Sequence, residues 1–326
     1  MNLFKEKKIL ITGGTGSLGQ ALCKKLLSYG AKVIIYSRDE GKQALIYGED
    51  HDVIKIIGDI RDYDKIKFSL CQHRPDYVIH AGALKRIDDL EKYPAECIKT
   101  NVNGTQNIAR ACLEAGVHKC ILISTDKACE PVNVYGASKF IGERLFTNFD
   151  YDSTSTIFSS VRYGNVIGSR GSFIPLWLNC IKNNSSIKVT SMECTRFLFT
   201  LSDAVSTVLN SINHSVGGEV FIPKISSFKM ESVLEALKRL TSSNSIDYKI
   251  TGMRPGEKFH EDMLGVLELP FSYLVPDIDL IQVRPQYTNK SYQDFPIYSG
   301  EVLNSSLHVE EDVGTLLNLI KRGIDE

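Results

Sequence analysis

The sequence has no long apolar run, no leader-like start and no excess of one charge. No apolar run approaches the roughly 20 residues that cross a bilayer, and the start, MNLFKEKK, lacks the apolar centre of a signal peptide. The formal net charge of −1 and the pI of about 6.7 argue against the basic surface of nucleic-acid-binding proteins. We therefore expect a cytoplasmic protein that binds neither nucleic acid nor a membrane.

Metal-ligand spacing is also missing from the sequence. None of the eight cysteines falls in a C-x-x-C pair, and the seven histidines show no ligand spacing. We expect reduced thiols and no metal site. With 43% hydrophobic and 24% charged residues, the 326-residue chain has the composition of an ordinary globular protein that is long enough for two lobes.

A glycine-rich turn follows the first apolar run. Lys8–Ile11 is typical of a buried strand, and a helical pattern begins after Gly19. Glycines between a strand and a helix allow the backbone to approach a pyrophosphate, which binds at the helix N-terminus. The sequence therefore predicts a dinucleotide site, and its predicted turn residues are Gly13, Thr15, Gly16, Ser17, Leu18 and Gly19.

The end of the second predicted strand, Lys32–Tyr36, bears on the choice of dinucleotide. A ribose 2′-hydroxyl is usually held by a carboxylate, whereas a 2′-phosphate prefers a small polar residue and an arginine. Ser37 and Arg38, with Lys42 as a helper, favour NADP, while Asp39 is the argument for NAD. We expect NADP. Further cofactor contacts are expected from strand ends at Asp59, Ile60, Ala81, Gly82 and Ala83.

Strand and helix patterns alternate through the first half of the chain. Apolar runs recur at Val53–Ile57, Tyr77–His80 and Cys120–Ile123, with helical patterns between them. This rhythm predicts an α/β fold, a Rossmann-like doubly wound parallel sheet with a smaller C-terminal substrate-binding lobe. We expect residues 1–163 and 198–224 to form the NADP-binding domain, and residues 164–197 and 225–326 to form the substrate lobe.

Two neighbouring motifs carry the chemistry. Tyr135 and Lys139 are four residues apart, so they share one helix face, and the ammonium is expected to lower the pKa of the phenol. Such a phenolate can take a proton from an alcohol while hydride leaves the carbon. Thr125, Asp126 and Lys127 add a hydroxyl, an acid and an amine. Simple alcohol oxidation does not need these groups, whereas oxidation followed by elimination of water does.

The motifs taken together resemble a known family along essentially the whole chain. The chain is similar to extended short-chain dehydrogenase/reductases, and among them to the C5-inverting UDP-N-acetylglucosamine 4,6-dehydratases of the pseudaminic-acid pathway. One departure is Arg86-Ile87-Asp88, which replaces the usual His/Gln-Val-Pro. The resemblance is carried by Ile11–Ser17, Tyr36–Glu40, Gly58–Asp62, Ala83–Lys85, Ser124–Ala128, Tyr135–Lys139, Arg162–Val166, Gly168–Ser172, Thr195–Phe197, Gly218–Lys224 and Arg254–Lys258.

The resemblance implies a role for each residue of the catalytic motifs. Tyr135 takes the C4 hydroxyl proton as hydride passes to NADP⁺, and Thr125 holds the same oxygen. Lys127, as a neutral amine with a depressed pKa, removes the C5 proton, and Asp126 protonates the departing C6 hydroxyl. Hydride then returns to C6. The implied product is UDP-2-acetamido-2,6-dideoxy-β-L-arabino-hex-4-ulose, a precursor of deoxy-aminosugars in surface glycans.

The resemblance and the side-chain chemistry also imply where the ligands bind. Arg254 suits a pyrophosphate because guanidinium contacts are bidentate, and Glu257 suits ribose hydroxyls. For Arg170 and Arg196, an ion-pairing role and a binding role stay equally open. Val166 is expected at the cofactor, and the residues expected at UDP-GlcNAc are Lys85, Thr125, Asn165, Phe173, Thr195, Arg254 and Glu257.

Other functions share parts of this pattern. A UDP-sugar 4-epimerase uses the same fold and Tyr–Lys pair but needs no acid for C6, so Asp126 and Lys127 argue against it. A C5-retaining dehydratase and a nucleotide-binding regulator without turnover are further alternatives. We also expect a homo-oligomer, a dimer or a dimer-based hexamer, that associates through the helical segments 93–114 and 136–148.

Overall fold

The backbone forms alternating strands and helices around one large sheet. The computed structural model describes residues 3–48, 52–243 and 245–325. The strands are β1 (Lys8–Thr12), β2 (Lys32–Ser37), β3 (Val53–Ile57), β4 (Tyr77–His80), β5 (Lys119–Ile123), β6 (Ile157–Val161), β7 (Asn165–Val166), β8 (Ile187–Val189), β9 (Thr195–Phe199), β10 (Val220–Pro223), β11 (Ser227–Lys229), β12 (Tyr248–Ile250), β13 (Asp262–Leu264), β14 (Ser272–Val275), β15 (Leu280–Val283) and β16 (Leu303–Asn304).

The helices connect these strands. They are α1 (Ser17–Ser28), α2 (Glu40–Tyr47), α3 (Tyr63–His73), α4 (Ile87–Lys92), α5 (Pro94–Cys97), α6 (Gly104–Ala115), α7 (Val134–Asp152), α8 (Phe173–Lys182), α9 (Leu201–His214), α10 (Met230–Leu240) and α11 (Val313–Asp325), with a π-helical segment at Ile98–Asn103 and short 3₁₀ turns at Asp126–Ala128 and Leu269–Phe271. Within the described ranges, no helix is both long and apolar enough to span a membrane.

The large sheet is parallel except at one edge. Its strand order is β14-β15-β10-β6-β5-β4-β1-β2-β3, and β15 runs antiparallel to both β10 and β14. The inner strands are continuous apolar runs because helices cover both faces. Helices α1 and α9 pack on one face, and α3, α6 and α7 pack on the other. The predicted doubly wound parallel sheet is thereby confirmed.

The smaller lobe has its own apolar core. Strands β7, β9 and β11 form a separate three-stranded sheet, and α8, α10 and α11 pack around Trp177 and Phe228. Of the segment 198–224, which was expected to return to the large sheet, β10 joins that sheet and α9 packs on its face. The first residues of that segment belong to β9, and Thr200 then begins α9 through a capping box with Asp203.

The large sheet also includes two strands from residues beyond 224, the boundary expected from the sequence. β14 and β15 lie in the segment that the sequence assigned to the substrate lobe, yet they extend the sheet next to β10. The physical reason is the antiparallel hairpin: Leu280 is buried in the core of the large sheet, Ile281 is buried in a cluster with Val220 and Ile222 of β10, and β14 pairs along the outer side of β15. The division into two lobes stays a prediction, and this hairpin belongs to the large sheet rather than to the substrate lobe.

A buried arginine ties the large sheet to the helix and loops around it. Arg162 follows β6, and its guanidinium donates to both oxygens of Glu143 in α7, at 3.1 and 2.7 Å. It also donates to both oxygens of Glu268, at 2.7 and 2.8 Å, and to the Met263 carbonyl at 2.8 Å. The Ser124 hydroxyl donates to Glu143 as well. One buried cation therefore joins the ends of β5 and β6, the helix α7 and the segment after β13.

We predict that Arg162→Met lowers the free energy of unfolding by about 3–5 kcal/mol, because two buried carboxylates then lack their cation. Urea unfolding measures the loss. Arg144→Gln is the control: the Arg144 guanidinium also faces Glu268, at 3.9 Å, but its side chain is half exposed, so its loss is expected to stay below about 1 kcal/mol. Equal stability of Arg162→Met and the wild type would contradict this account.

Candidate active site

The glycine turn brings three backbone segments into close contact. Gly13 has a φ of +68°, and a Cβ there would lie 2.9 Å from the Ala81 carbonyl oxygen and from Gly82. A Cβ on Gly19 would lie 2.6 Å from the Gly14 Cα. Helix α1 starts directly after this turn, and no side chain caps its N-terminus. Bare helical N–H groups beside a cradle of glycines fit the pyrophosphate of a dinucleotide.

A buried hydrogen-bond chain fixes the end of β4 beside the turn. The Gly82 amide donates to the Thr12 hydroxyl, which lies 2.7 Å from His80 Nδ1. His80 Nε2 lies 3.0 Å from the Thr105 hydroxyl. Burial lowers the pKa of His80 to about 3, so the ring is neutral and bridges two hydroxyls.

The groups at the end of β2 are largely engaged with one another. The Asp39 carboxylate caps α2 by accepting from the Lys42 amide at 2.9 Å, and it pairs with Lys42 Nζ at 2.8 Å. The Arg38 side chain is half exposed, and its guanidinium lies 3.9 Å from Asp59. Asp59 in turn accepts from Arg61 at 2.7–2.9 Å. Arg38 is thus the least engaged cation at this strand end.

The Thr-Asp-Lys loop forms a buried charge cluster. Asp126 Oδ1 accepts from the Thr125 hydroxyl at 2.8 Å, from the Lys127 amide at 2.9 Å and from Lys127 Nζ at 3.0 Å. On its other side, Lys127 Nζ lies 3.2 Å from Glu261 Oε1. Among the described residues, neither Asp126 Oδ2 nor Glu261 Oε2 has a hydrogen-bond partner. Two buried carboxylates therefore hold one amine, each with one oxygen to spare.

The pKa expected for Lys127 is wrong. Burial alone would lower the pKa of this amine, but the Asp126 and Glu261 carboxylates outweigh burial and raise it. Asp126 is adjacent in the sequence, but Glu261 is brought beside Lys127 only by the fold, so the sequence did not reveal that two carboxylates face this amine. Lys127 is therefore charged at rest, and it can act as a base only after it gives a proton to a neighbour.

The expected effect of Lys139 on Tyr135 is also wrong. Both side chains lie on α7 and line the same cleft. Burial raises the pKa of Tyr135 to about 12, and the cation that opposes this shift is Lys127. Burial lowers the pKa of Lys139 to about 8. The sequence correctly places Tyr135 and Lys139 on one helix, but burial of the phenol decides the direction of its pKa shift.

The π-helical segment positions a buried amide against helix α7. Asn101 Oδ1 accepts from the Leu84 amide at 2.8 Å, and Asn101 Nδ2 donates to the Leu84 carbonyl at 2.9 Å and the Ser138 hydroxyl at 3.0 Å. The Asn101 side chain thereby fixes the loop that carries Lys85 relative to the helix that carries Tyr135. A π-helical turn at such a place is common near functional sites.

Several residues expected at the substrate surround the other half of the cleft. Lys85 Nζ donates to the Arg170 carbonyl at 3.2 Å, and burial lowers the pKa of this amine. Asn165 Oδ1 is buried and has no hydrogen-bond partner in the described part of the chain, so it is free to bind a ligand. Phe173 begins α8 and stacks edge-on against Trp177 at 5.3 Å between ring centroids.

Arg254 and Glu257, expected to bind pyrophosphate and ribose, contact each other. Arg254 Nε and Nη2 donate to the two Glu257 oxygens, both at 3.1 Å, and Arg254 Nη1 donates to Asp88 at 3.0 Å. Glu257 also pairs with Arg196 at 3.2 Å. Arg196 is thus an ion-pair partner inside the cleft wall. Thr195 lies behind that wall, where its hydroxyl contacts His260 and Ser305.

These groups share one continuous cleft of about 1250 Å³. This volume exceeds that of most single-ligand pockets and leaves room for two large ligands. Asp59 and Thr195 are the two expected site residues that do not line the cleft. Those that do are Gly13, Thr15, Gly16, Ser17, Leu18, Gly19, Ser37, Arg38, Asp39, Lys42, Ile60, Ala81, Gly82, Ala83, Lys85, Thr125, Asp126, Lys127, Tyr135, Lys139, Asn165, Val166, Phe173, Arg254 and Glu257.

Other residues that line the cleft were not expected at the site from the sequence. Trp177 and Tyr163 add aromatic surface, and Lys258 and Glu261 add charge. Lys258 and Glu261 lie within or just after the Arg-Pro-Gly-Glu-Lys motif, so proximity to that motif was the available signal. Trp177 is the only tryptophan in the sequence, but nothing in its local pattern indicates that it lines the cleft. In the described ranges, no group of His, Cys, Asp or Glu could hold a metal ion.

Comparison with known proteins agrees with this geometry. A family model described as polysaccharide biosynthesis protein matches residues 9–279, and the chain belongs to this family. It is 45% identical over 300 residues to a UDP-N-acetylglucosamine 4,6-dehydratase (inverting) of Campylobacter jejuni, with 88% of each chain covered. The resemblance predicted from the motifs is confirmed.

Two further relatives are informative. A UDP-glucose 4-epimerase of Rickettsia rickettsii is 38% identical over 276 residues, which cover 82% of this chain and 80% of that protein. The X-ray structure of Pen from Bacillus thuringiensis superposes with a TM-score of 0.91 at 34% identity and covers 98% of both chains. The fold is therefore shared along essentially the whole chain.

We predict that Gly13→Ala abolishes dinucleotide binding and destabilises the protein more than Gly116→Ala. Both glycines have a φ near +67°, so both changes strain the backbone by about 1–2 kcal/mol. Only Gly13 also lacks space, since a Cβ at Gly116 meets nothing within 4 Å. Urea unfolding and isothermal titration with NADP measure the two effects. Equal losses in both variants would show that the close contact at Gly13 is unimportant.

Proposed function

We propose that this protein is an NADP-dependent, C5-inverting UDP-N-acetylglucosamine 4,6-dehydratase that acts in the cytoplasm as a homo-oligomer. The observation that carries the proposal is the Lys127 amine. It lies between the buried carboxylates of Asp126 and Glu261, in the same cleft as Tyr135 and the glycine turn. An oxidoreductase site and an acid–base site thus face the same ligand space. The name and 45% identity of the Campylobacter relative support the same reaction.

The chain's own residues then have defined roles. Because burial keeps the Tyr135 phenol protonated at rest, Tyr135 first loses that proton to the open cleft. The resulting phenolate accepts the proton of the C4 hydroxyl, and Thr125 holds that oxygen. A bound nicotinamide supplies the acceptor for the C4 hydride and its return to C6. Lys127 first passes a proton to Asp126 Oδ1, 3.0 Å away. This single transfer produces a neutral amine, which takes the C5 proton, and a protonated carboxyl group, which gives its proton to the C6 hydroxyl so that the C6–O bond breaks and water leaves.

NADP is proposed because of the charges at the end of β2. The Asp39 carboxylate, which would bind a ribose 2′-hydroxyl, is engaged by the Lys42 amide and ammonium. Arg38 is half exposed, lines the cleft and contacts Asp59 only at 3.9 Å. An arginine with little local engagement suits a 2′-phosphate.

We predict that Arg38→Ala weakens NADP binding at least tenfold, because a charge-assisted contact to the 2′-phosphate is lost, and changes NAD binding by less than about threefold. Isothermal titration of wild type and variant with both nucleotides measures the contrast, and NAD serves as the internal control. Nucleotide released from the purified wild type by denaturation is identified by mass. Recovery of NAD alone would overturn the NADP assignment.

Association is proposed through helices α5 to α7. Tyr93, Ile98, Phe140 and Ile141 are exposed apolar residues in this region. Exposed apolar residues on neighbouring helices are typical of subunit contacts. A dimer or a dimer-based hexamer fits the proposed enzyme.

A UDP-sugar 4-epimerase is the second candidate, favoured by the Rickettsia relative. An epimerase returns hydride to C4 and needs neither C5 deprotonation nor an acid for C6. The buried Asp126–Lys127–Glu261 cluster has no task in that reaction. The cluster therefore favours the dehydratase.

Incubation of the protein with UDP-N-acetylglucosamine and no added cofactor tests the proposal. Proton NMR is expected to reveal a 4-keto-6-deoxy product with a new C6 methyl group, and its ring couplings report the configuration at C5. UDP-N-acetylgalactosamine as the product would favour the epimerase. Unchanged substrate would favour a binding protein.

Two variants separate the steps of the proposed reaction. Lys127→Ala and Asp126→Asn are each expected to lower dehydration by at least 10²-fold, since general acid–base groups contribute about 10²–10⁴. NADP affinity is expected to stay unchanged, because neither side chain belongs to the glycine turn. Near-wild-type turnover by either variant would remove that residue from the mechanism.

A further inference from the structure

Glu261 stands out among the buried acids of the described chain. It precedes β13, and its side chain is 2% exposed. Its backbone is fixed by two hydrogen bonds with Ser305, each 2.8 Å long, and Ser305 is braced by the Thr195 hydroxyl. Glu261 Oε1 faces Lys127 Nζ at 3.2 Å and Arg196 Nε at 3.8 Å. The carboxylate is therefore rigidly presented to the amine.

Two other buried glutamates show what a purely structural carboxylate looks like in this protein. Both oxygens of Glu143 accept from Arg162, and one also accepts from Ser124. Both oxygens of Glu219 accept from backbone amides. Glu261 Oε2, in contrast, has no hydrogen-bond partner within the described ranges and belongs to a residue that lines the cleft. A buried oxygen without a partner is destabilising, so function accounts for it better than stability does.

The charge balance during the proposed reaction gives Glu261 a task. Before C5 deprotonation, the Lys127 N–H bond breaks and an O–H bond forms on Asp126. Lys127 then gains the C5 proton and becomes an ammonium again while Asp126 is still neutral. At that moment Asp126 offers no charge to the ammonium, and Glu261 is the carboxylate that remains beside it.

We propose that Glu261 is a positioning residue for proton transfer at Lys127, which holds the amine in the cleft and balances the ammonium that forms when the C5 proton is taken. This inference rests on the proposed dehydratase function. The arrangement follows the logic of catalytic triads, in which a buried carboxylate orients the base and stabilises its protonated form.

The other charges around the amine are consistent with this task. Asp126, Glu261, Arg196 and Tyr135 are the titratable and charged groups that interact with Lys127 in the structure. Burial and the Asp126 charge raise the pKa of Glu261, while Lys127 and Arg196 lower it. Protonation of Asp126 removes one of the groups that disfavour the Glu261 carboxylate, so Glu261 is best able to stay ionised at the stage where its charge is needed.

The test compares Glu261→Gln with the wild type on UDP-N-acetylglucosamine that carries deuterium at C5. Glutamine keeps an oxygen for Lys127 but removes the charge. We expect kcat to fall on the order of 10²-fold with little change in KM, and the C5 isotope effect on kcat to increase. Reduction of the bound nucleotide in a single turnover, which reports C4 oxidation, is expected to stay near the wild-type rate.

Two further variants keep the result decisive. Glu261→Asp retains the charge, and its kcat is expected to be at least tenfold higher than that of Glu261→Gln. Asp262→Asn makes the matched carboxylate-to-amide change one residue along, at a side chain that pairs with Lys258 at 2.8 Å, and it is expected to leave the isotope effect unchanged. Urea unfolding and UDP titration on each variant report folding and binding independently of turnover.

The outcomes distinguish the inference from the function on which it rests. If the wild type dehydrates the sugar and Glu261→Gln has the same kcat, the inference about Glu261 is overturned and the proposed function stands. The inference is also overturned if Glu261→Gln slows C4 oxidation as much as turnover, leaves the isotope effect unchanged, and is not improved upon by Glu261→Asp. Such a result would show a purely structural role for Glu261. A wild type that does not dehydrate the sugar overturns both proposals.

Discussion

The buried guanidinium of Arg162 holds together the segments that carry the candidate site residues. Its two carboxylate partners lie on different parts of the chain: Glu143 in α7, and Glu268 in the segment after β13. Tyr135 and Lys139 precede Glu143 on the same helix, and Ser124, next to Thr125, binds the Glu143 carboxylate. The Met263 carbonyl, close to Glu261, accepts from the same guanidinium. A single buried cation therefore ties together the helix that carries Tyr135, the loop that carries Thr125 and the strand that follows Glu261.

A second electrostatic feature runs along one wall of the cleft. Positive and negative side chains alternate from Arg254, expected at the pyrophosphate of the sugar nucleotide, to the Thr-Asp-Lys loop, and neighbouring members contact each other at 3.0–3.8 Å. Buried charges in such an order each have a partner of opposite sign, which offsets their desolvation. A ligand phosphate at the exposed end of this series would compete with Glu257 for Arg254. The members in order are Arg254, Glu257, Arg196, Glu261, Lys127 and Asp126.

The sequence predicts local structure and motif location better than it predicts electrostatics. The strands Val53–Ile57 and Tyr77–His80 occur with the predicted bounds, because each is a short apolar run between turn residues. The β14–β15 hairpin was missed, since pairing along a sheet edge depends on contacts distant in sequence. The pKa directions expected for Lys127 and Tyr135 failed for the same reason. Burial and the Glu261 charge come from segments that only the fold brings together.

The central claim is that one cleft applies redox and acid–base chemistry to the same sugar. The fate of the C4 hydrogen tests this claim most directly. With UDP-N-acetylglucosamine deuterated at C4, the account predicts that the label appears in the C6 methyl group of the product, because the hydride taken from C4 is returned within the same site. Proton NMR and mass spectrometry locate the label. Loss of the deuterium to solvent, or its return to C4 in an epimerised sugar, would contradict the account.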